Sequence, residues 1–118
     1  MRLLIADSDP LILRSLKISL SLRNDIEVVG LIADGADAVN MCKAKNPDFV
    51  LLDTRLESTA TTRQIKAHCP NVKVILFTLY GETSEVQEAL QAGASDYIIK
   101  ADGMSSMFER LRTIAQDN

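Results

Sequence analysis

Apolar residues along this chain are grouped in five short runs at nearly even spacing, at residues 2–6, 26–32, 48–52, 72–78 and 96–99. Each run is rich in Val, Ile, Leu or Phe and is too short for a typical helix, which predicts a strand. Because the runs are continuous rather than alternating, we expect strands that are covered on both faces. The second run contains Glu27, as expected for a strand at the edge of the sheet.

Helical patterns separate these runs, at residues 10–22, 35–45, 59–68, 82–92 and 104–115. Asp9 before Pro10 resembles a helix N-cap followed by a first-turn proline, and Gly93 is a helix-stop signal. Strands alternating with helices predict an α/β fold with a doubly wound, parallel five-stranded sheet and helices on both faces. The polar end at residues 116–118 is expected to fray.

Composition limits the classes of protein that this chain could represent. With 118 residues, 47% of them hydrophobic and 25% charged, it fits one globular domain spanning residues 1–118. No apolar run reaches the length of a membrane span, and a net charge of −3 without a basic run argues against direct binding to nucleic acid. Cys42 lies in a predicted helix and Cys69 at the end of another, and with no metal-type spacing this favours reduced thiols in a cytoplasmic protein.

Four polar residues stand at the carboxyl ends of predicted strands: Asp7, Asp53, Thr78 and Lys100. In an open parallel sheet this edge is where ligands bind, so we expect their side chains to converge. A carboxylate can attack phosphorus as a nucleophile, a second carboxylate can help to hold Mg²⁺, and a hydroxyl and an ammonium group can neutralise phosphoryl oxygens. The set therefore indicates phosphoryl transfer to an aspartate.

Four segments resemble the receiver domains of two-component response regulators. They are LLIADSDPL at residues 3–11, PDFVLLD at 47–53, VILFT at 74–78 and GASDYIIK at 93–100. Residues 26–35, IEVVGLIADG, are most similar to receivers of the NarL/FixJ subfamily, which usually precede a DNA-binding helix-turn-helix of the LuxR type. The resemblance covers nearly the whole chain and implies the strand order 2-1-3-4-5.

The resemblance also implies a role for each matching residue. Asp53 would accept a phosphoryl group from the phosphohistidine of a sensor histidine kinase. Asp7, Asp53 and the backbone carbonyl of Arg55 would hold Mg²⁺. Thr78 and Lys100 would contact the phosphoryl group. The aromatic residue Tyr97 would move inward with Thr78 and change a surface used for homodimerisation or partner contact, and DNA would be bound only through an output domain that lies outside this chain.

The chain departs from the family pattern at three places. Ser8 stands where the family usually has a second acid, and its hydroxyl is a poor ligand for a hard cation, so Mg²⁺ binding should be weaker than in typical receivers. The loop after Asp53 lacks Gly and Pro and is about three residues short, so the third helix should be short or displaced. Leu79 follows Thr78, where small residues are common, and should restrict access of a phosphodonor.

Several alternatives stay open. The leading interpretation is a non-enzymatic signalling domain whose chemistry is confined to its own phosphorylation and dephosphorylation. The second is an atypical receiver that works without phosphorylation as a protein- or ligand-binding module. A flavodoxin-like cofactor protein would share the strand layout, but the acidic turn at residues 7–10 and an aromatic content of 4% disfavour it.

Individual residues also have alternative readings. Asp9 is better explained as a helix cap than as part of the pocket, and Tyr97 could be a static core residue instead of a switch. Arg55 could pair with Glu57 or enter the acidic pocket, where its cation would partly replace a metal ion.

Overall fold

In a computed structural model, which describes residues 1–116, the chain forms one parallel sheet flanked by helices. Asp117 and Asn118, where part of the predicted fraying falls, lie outside the described residues. The strands are β1 (Arg2–Ala6), β2 (Glu27–Ile32), β3 (Phe49–Asp53), β4 (Lys73–Thr78) and β5 (Asp96–Ile99). The helices are α1 (Pro10–Ser21), α2 (Gly35–Lys45), α3 (Ser58–His68), α4 (Ser84–Gln91) and α5 (Gly103–Gln116), and a 3₁₀ turn spans Lys100–Asp102.

The sheet has the order β2-β1-β3-β4-β5 with every pairing parallel, which confirms the predicted topology and the edge position of β2. Successive residues of each strand face opposite sides of the sheet. Leu3 and Ile5 therefore pack with α1 and α5, whereas Leu4 and Ala6 pack with α2, α3 and α4. Covering on both faces explains why the central strands are continuously apolar.

Local sequence signals set most helix starts. The Asp9 carboxylate accepts a hydrogen bond from the Leu11 N–H, and Pro10 occupies the first turn of α1, so the predicted cap is confirmed. Asp34 caps α2 through the N–H of Asp37. Thr83 caps α4 through the N–H of Val86, so this helix starts two residues later than predicted.

The turn from β3 into α3 is the irregular part of the fold. Glu57, the residue before α3, has a φ of 48°, a left-handed conformation that is unfavourable for a residue with a Cβ, and it makes no side-chain cap. The helix itself has 11 residues, as many as α2, so the third helix is not short, and its displacement, the other half of the expectation, stays a prediction. In a turn without Gly or Pro, the left-handed position before α3 is thus filled by a glutamate.

The pairing register aligns the carboxyl ends of neighbouring strands at one edge of the sheet. Ala6 pairs with Leu52, so the residues that follow them, Asp7 and Asp53, start from neighbouring positions. Thr78 pairs with Ile99, which places Lys100 one residue beyond the end of β4. Within the described residues, no helix is long and apolar enough to span a membrane.

Candidate functional site

Asp53 lies at the bottom of a pocket at the carboxyl edge of the sheet, with its side chain 1% exposed. The prediction ended β3 at Leu52, but the strand includes Asp53 as its last residue. Oδ2 accepts hydrogen bonds from Ser8 Oγ at 2.9 Å and from the Ser8 N–H at 3.2 Å. Oδ1 accepts one from the Arg55 N–H at 3.1 Å and lies 3.4 Å from Lys100 Nζ. Both oxygens of the candidate acceptor are therefore already partnered.

Asp7 is fully buried beside Asp53. Its Oδ1 accepts a hydrogen bond from the Asp9 N–H at 2.8 Å. Its Oδ2 lies 2.9 Å from Lys100 Nζ, as an ion pair rather than a well-directed hydrogen bond. The Lys100 side chain is 8% exposed and thus forms a nearly buried bridge between the two carboxylates.

Burial and hydrogen bonding shift the two carboxyl groups in opposite directions. Burial raises the pKa of Asp7 and the repulsion from Asp53 adds to it, whereas the hydrogen bond from the Asp9 N–H and the contact with the Lys100 ammonium group only partly oppose it. Burial would also raise the pKa of Asp53, but hydrogen bonds from Arg55 and Ser8 outweigh it and hold this pKa below its usual value. The lowered pKa keeps the Asp53 carboxylate ionised at neutral pH, as a nucleophile must be.

Arg55 reaches into the pocket from the turn after β3. Its Nη2 lies 3.1 Å from Asp53 Oδ2 and 3.4 Å from Asp7 Oδ1, and its Nε–H points at both Asp53 oxygens at 3.2 and 3.3 Å. Of the two pairings considered for Arg55, the structure shows the one with the acidic pocket. Its side chain is 51% exposed, so the guanidinium covers the carboxylates from the solvent side.

The donor set can be compared with what Mg²⁺ requires. Mg²⁺ prefers oxygen ligands and is usually bound through one or two carboxylates. Asp7 and Asp53 are two such groups, but they face two cations, and the Ser8 hydroxyl is directed at Asp53. Two carboxylates neutralised by Arg55 and Lys100 do not fit a tightly held divalent ion. No group of three or more His, Cys, Asp or Glu side chains suited to a metal occurs in residues 1–116.

Thr78 lies at the end of β4, where its hydroxyl takes part in local bonds. Its Oγ1 donates to the Tyr80 carbonyl at 3.0 Å and accepts from the Tyr80 N–H at 3.3 Å. Thr54 Oγ1 lies 3.3 Å from Thr78 Oγ1 and donates to it. Thr78 borders the pocket in this arrangement but points its hydrogen bonds at the β4–α4 loop instead of at Asp53.

A cavity of about 160 Å³ opens next to Asp53, and Thr78, Leu79 and Lys100 are among the residues that line it. Leu79 is 53% exposed and forms part of the wall, which is where a restriction on donor access would act. Thr54 and Tyr80 also line the cavity, although neither is among the residues predicted for the site. The position of Thr54 directly after Asp53 could have identified it as a residue of the site. Tyr80 contacts Thr78 through its backbone N–H and carbonyl, which every residue type has, so its sequence identity does not indicate this contact.

Tyr97, on β5, is half-buried and packs against the α2–α4 side of the core. A Cβ on the buried Gly81 would lie 2.6 Å from Tyr97 Cε2, so this glycine is required by the space that the ring occupies. Arg110 donates to Asp96 Oδ1 at 2.6 Å and to the Tyr97 carbonyl at 3.4 Å. The position of the Tyr97 ring is thus coupled to the β4–α4 loop, in which the backbone of Tyr80 also binds the Thr78 hydroxyl.

Comparisons with known proteins show the family to which this chain belongs. A family model described as the response regulator receiver domain matches residues 3–112. Response regulator protein VraR of Staphylococcus saprophyticus is 32% identical over 114 residues, which is 94% of this chain and 54% of VraR. VraR of Staphylococcus aureus gives the same identity and coverage. The chain thus spans about half the length of the curated relatives it matches.

Solved structures give the same result for the fold. The signal receiver domain of the putative response regulator NarL from Mycobacterium tuberculosis has a TM-score of 0.90 and 28% identity, covering 99% of this chain and 97% of that one. A LuxR-family response regulator from Aurantimonas sp. has a TM-score of 0.89 over 99% of this chain and 86% of that one, and at 22% identity it supports the fold alone.

Proposed function

This chain belongs to the family of response regulator receiver domains, and we propose that it is a phosphorylation switch in which Asp53 accepts the phosphoryl group of a phosphohistidine on a sensor histidine kinase. The observation that carries this proposal is the setting of Asp53. It is a buried, ionised carboxylate at the bottom of a cavity, with Lys100 and Arg55 against it and the Thr78 hydroxyl on the same rim.

The reaction at Asp53 is a displacement at phosphorus. A carboxylate oxygen of Asp53 forms the new O–P bond while the P–N bond to the histidine breaks, and the imidazole leaves with the electron pair and takes up a proton. Lys100 and Arg55 stabilise the negative charge on the phosphoryl oxygens as it passes between donor and acceptor. The resulting acyl phosphate carries the extra charge that drives the switch.

Metal use is proposed to be weaker than in typical receivers. Receiver domains typically bind Mg²⁺ through acidic residues, where the ion neutralises phosphoryl charge, and here Asp7, Asp53 and the carbonyl of Arg55 are the corresponding groups. Ser8 replaces an acid and two cations compensate the remaining carboxylates, so the attraction for a divalent ion is reduced.

The switch would start at Thr78. A phosphoryl group on Asp53 competes for its hydroxyl, which leaves Tyr80 and Thr54. Since Gly81 touches the Tyr97 ring, movement of this loop frees space and the ring turns inward. The surface formed by α4, β5 and α5 then changes shape, and we propose that homodimerisation or partner contact responds to it.

The wider assignment rests on the relatives. The curated relatives are nearly twice as long as this chain, and the receiver domain of a putative NarL response regulator is 28% identical to it. We therefore propose that residues 1–118 act as one receiver domain of a cytoplasmic transcription regulator, whose DNA contacts belong to a separate output domain. Self-phosphorylation and dephosphorylation would be the only chemistry of the chain.

The test is incubation with acetyl phosphate, with Mg²⁺ and with EDTA, followed by intact-mass measurement. The expected result is one added phosphoryl group on the wild type and none on Asp53→Asn. Asp102→Asn, which removes an exposed acid outside the pocket, is the matched control and should be phosphorylated like the wild type. Equal labelling of the wild type and Asp53→Asn would refute the assignment of the acceptor.

A second candidate function is a protein- or ligand-binding module that works without phosphorylation. The observation in its favour is that both oxygens of Asp53 are already held by Ser8, Arg55 and Lys100. Under this alternative, acetyl phosphate adds no mass in either condition, and Asp53→Asn retains the regulatory activity of the full-length protein.

A further inference from the structure

We propose that Arg55 is a built-in cation of the acceptor site: its guanidinium contacts Asp7 and Asp53, the two carboxylates that would hold a divalent ion, and it lets the site bind a phosphoryl-type anion without metal. The inference rests on the proposed function, and it identifies Arg55 as the residue that determines how far phosphoryl binding at Asp53 depends on a metal ion. Metal should compete with Arg55 rather than cooperate with it.

Geometry is the first argument. One guanidinium nitrogen contacts both carboxylates, at 3.1 Å to Asp53 and 3.4 Å to Asp7, and the Nε–H adds two contacts to Asp53. Asp7 and Asp53 are the two carboxylates that would hold a divalent ion here, and both are already in contact with the guanidinium. Arg55 and such an ion therefore compete for the same carboxylates.

Charge is the second argument. Asp7 and Asp53 contribute −2, and Arg55 and Lys100 contribute +2, so these four groups sum to zero. Ser8 adds no charge and directs its hydroxyl at Asp53. The net charge of these four groups therefore does not attract a divalent ion. Without Arg55, the net charge of the remaining three groups would be −1.

The two cations differ in how far their side chains are exposed. Lys100 is 8% exposed and is enclosed by both carboxylates and the Phe77 ring, 5.1 Å away. Arg55 is 51% exposed and stands on a turn, so it can rotate from the carboxylates toward an incoming anion. The forked guanidinium matches the spacing of phosphoryl oxygens, so this rotation exchanges one oxyanion partner for another.

The first experiment measures metal binding directly, by electron paramagnetic resonance of Mn²⁺ and by competition with Mg²⁺. Arg55→Ala should bind Mn²⁺ more tightly than the wild type, because it loses a cation but keeps the backbone carbonyl. With the dielectric of water, a unit charge about 4 Å from a divalent ion corresponds to a change of roughly 30-fold. Arg63→Ala removes the same charge from an exposed position on α3 and should change the affinity less than threefold.

An unchanged or weaker affinity in Arg55→Ala would overturn the inference, as would an equal gain in Arg63→Ala. Arg55→Lys keeps the charge and should stay near the wild type, which separates charge from a general change of structure. Circular dichroism establishes that each variant is folded.

The second experiment uses beryllofluoride and follows amide chemical shifts in EDTA and in Mg²⁺. The wild type should respond in EDTA, and Arg55→Ala should respond only in Mg²⁺. If both respond equally in EDTA, the role of Arg55 is refuted while Asp53 remains an acceptor. If neither responds in any condition but Arg55→Ala has gained Mn²⁺ affinity, the proposed function fails and the competition between Arg55 and metal stands.

Discussion

The Lys100 ammonium group lies between two buried carboxylates, so its removal tests the charge balance of the site. Lys100→Met keeps most of the side-chain length but leaves Asp7 and Asp53, which are 0% and 1% exposed, facing each other with only the half-exposed Arg55. The expected result is a loss of stability, because a buried carboxylate then lacks a counter-charge.

The magnitude follows from the two contacts of Lys100. At 2.9 and 3.4 Å, each ion pair corresponds to about 5 kcal/mol at an effective dielectric near 20. Desolvation of the three charges offsets most of this, and breaking a buried pair usually costs about 3–5 kcal/mol. Because Arg55 still neutralises one carboxylate, we expect the lower end, about 3 kcal/mol.

The assay is urea unfolding at neutral pH in EDTA, with Lys43→Met as the control on an exposed part of α2. Asp7→Asn in the Lys100→Met background should recover part of the loss, since it removes the uncompensated charge. A destabilisation below about 0.5 kcal/mol, or a double variant no more stable than the single one, would refute the reasoning about the buried charges.

Three further predictions concern positions away from the charge network. Gly81→Ala should displace the Tyr97 ring and destabilise the domain by about 1–3 kcal/mol, measured by near-ultraviolet circular dichroism and urea unfolding; an unchanged ring signal would contradict this. Burial raises the pKa of the Cys42 thiol to about 12, so iodoacetamide at pH 8–9 should label Cys69 first and Cys42 only after unfolding, whereas equal rates would disprove it. Glu57→Gly should relieve the left-handed backbone and stabilise the domain by up to about 1 kcal/mol in thermal melts; destabilisation would show that Glu57 is not strained.

The fold was predictable because its pattern is strong and local. Continuous apolar strands and capped helices specify a parallel sheet covered on both faces, and the structure agrees. The strand-end rule likewise placed Asp7, Asp53 and Lys100 together, since register alone brings them to one edge.

Other features depend on contacts that sequence patterns do not encode. The left-handed conformation of Glu57 was not foreseen, because turn chemistry normally places Gly or Asn there. The bond between Thr54 and Thr78 joins two strand ends through side chains, and the contact of Gly81 with Tyr97 depends on packing. Arg55 could be assigned to the pocket only as one of two options, since a long side chain on a turn can reach in several directions.

The central claim is that Asp53 accepts a phosphoryl group in a pocket whose cations make metal less important, and the most direct measurement is phosphorylation by acetyl phosphate in EDTA and in Mg²⁺. Intact mass should show one phosphoryl group on the wild type in both conditions, with fragmentation placing it on Asp53. No added mass in either condition, or a phosphoryl group that remains in Asp53→Asn, would contradict the account.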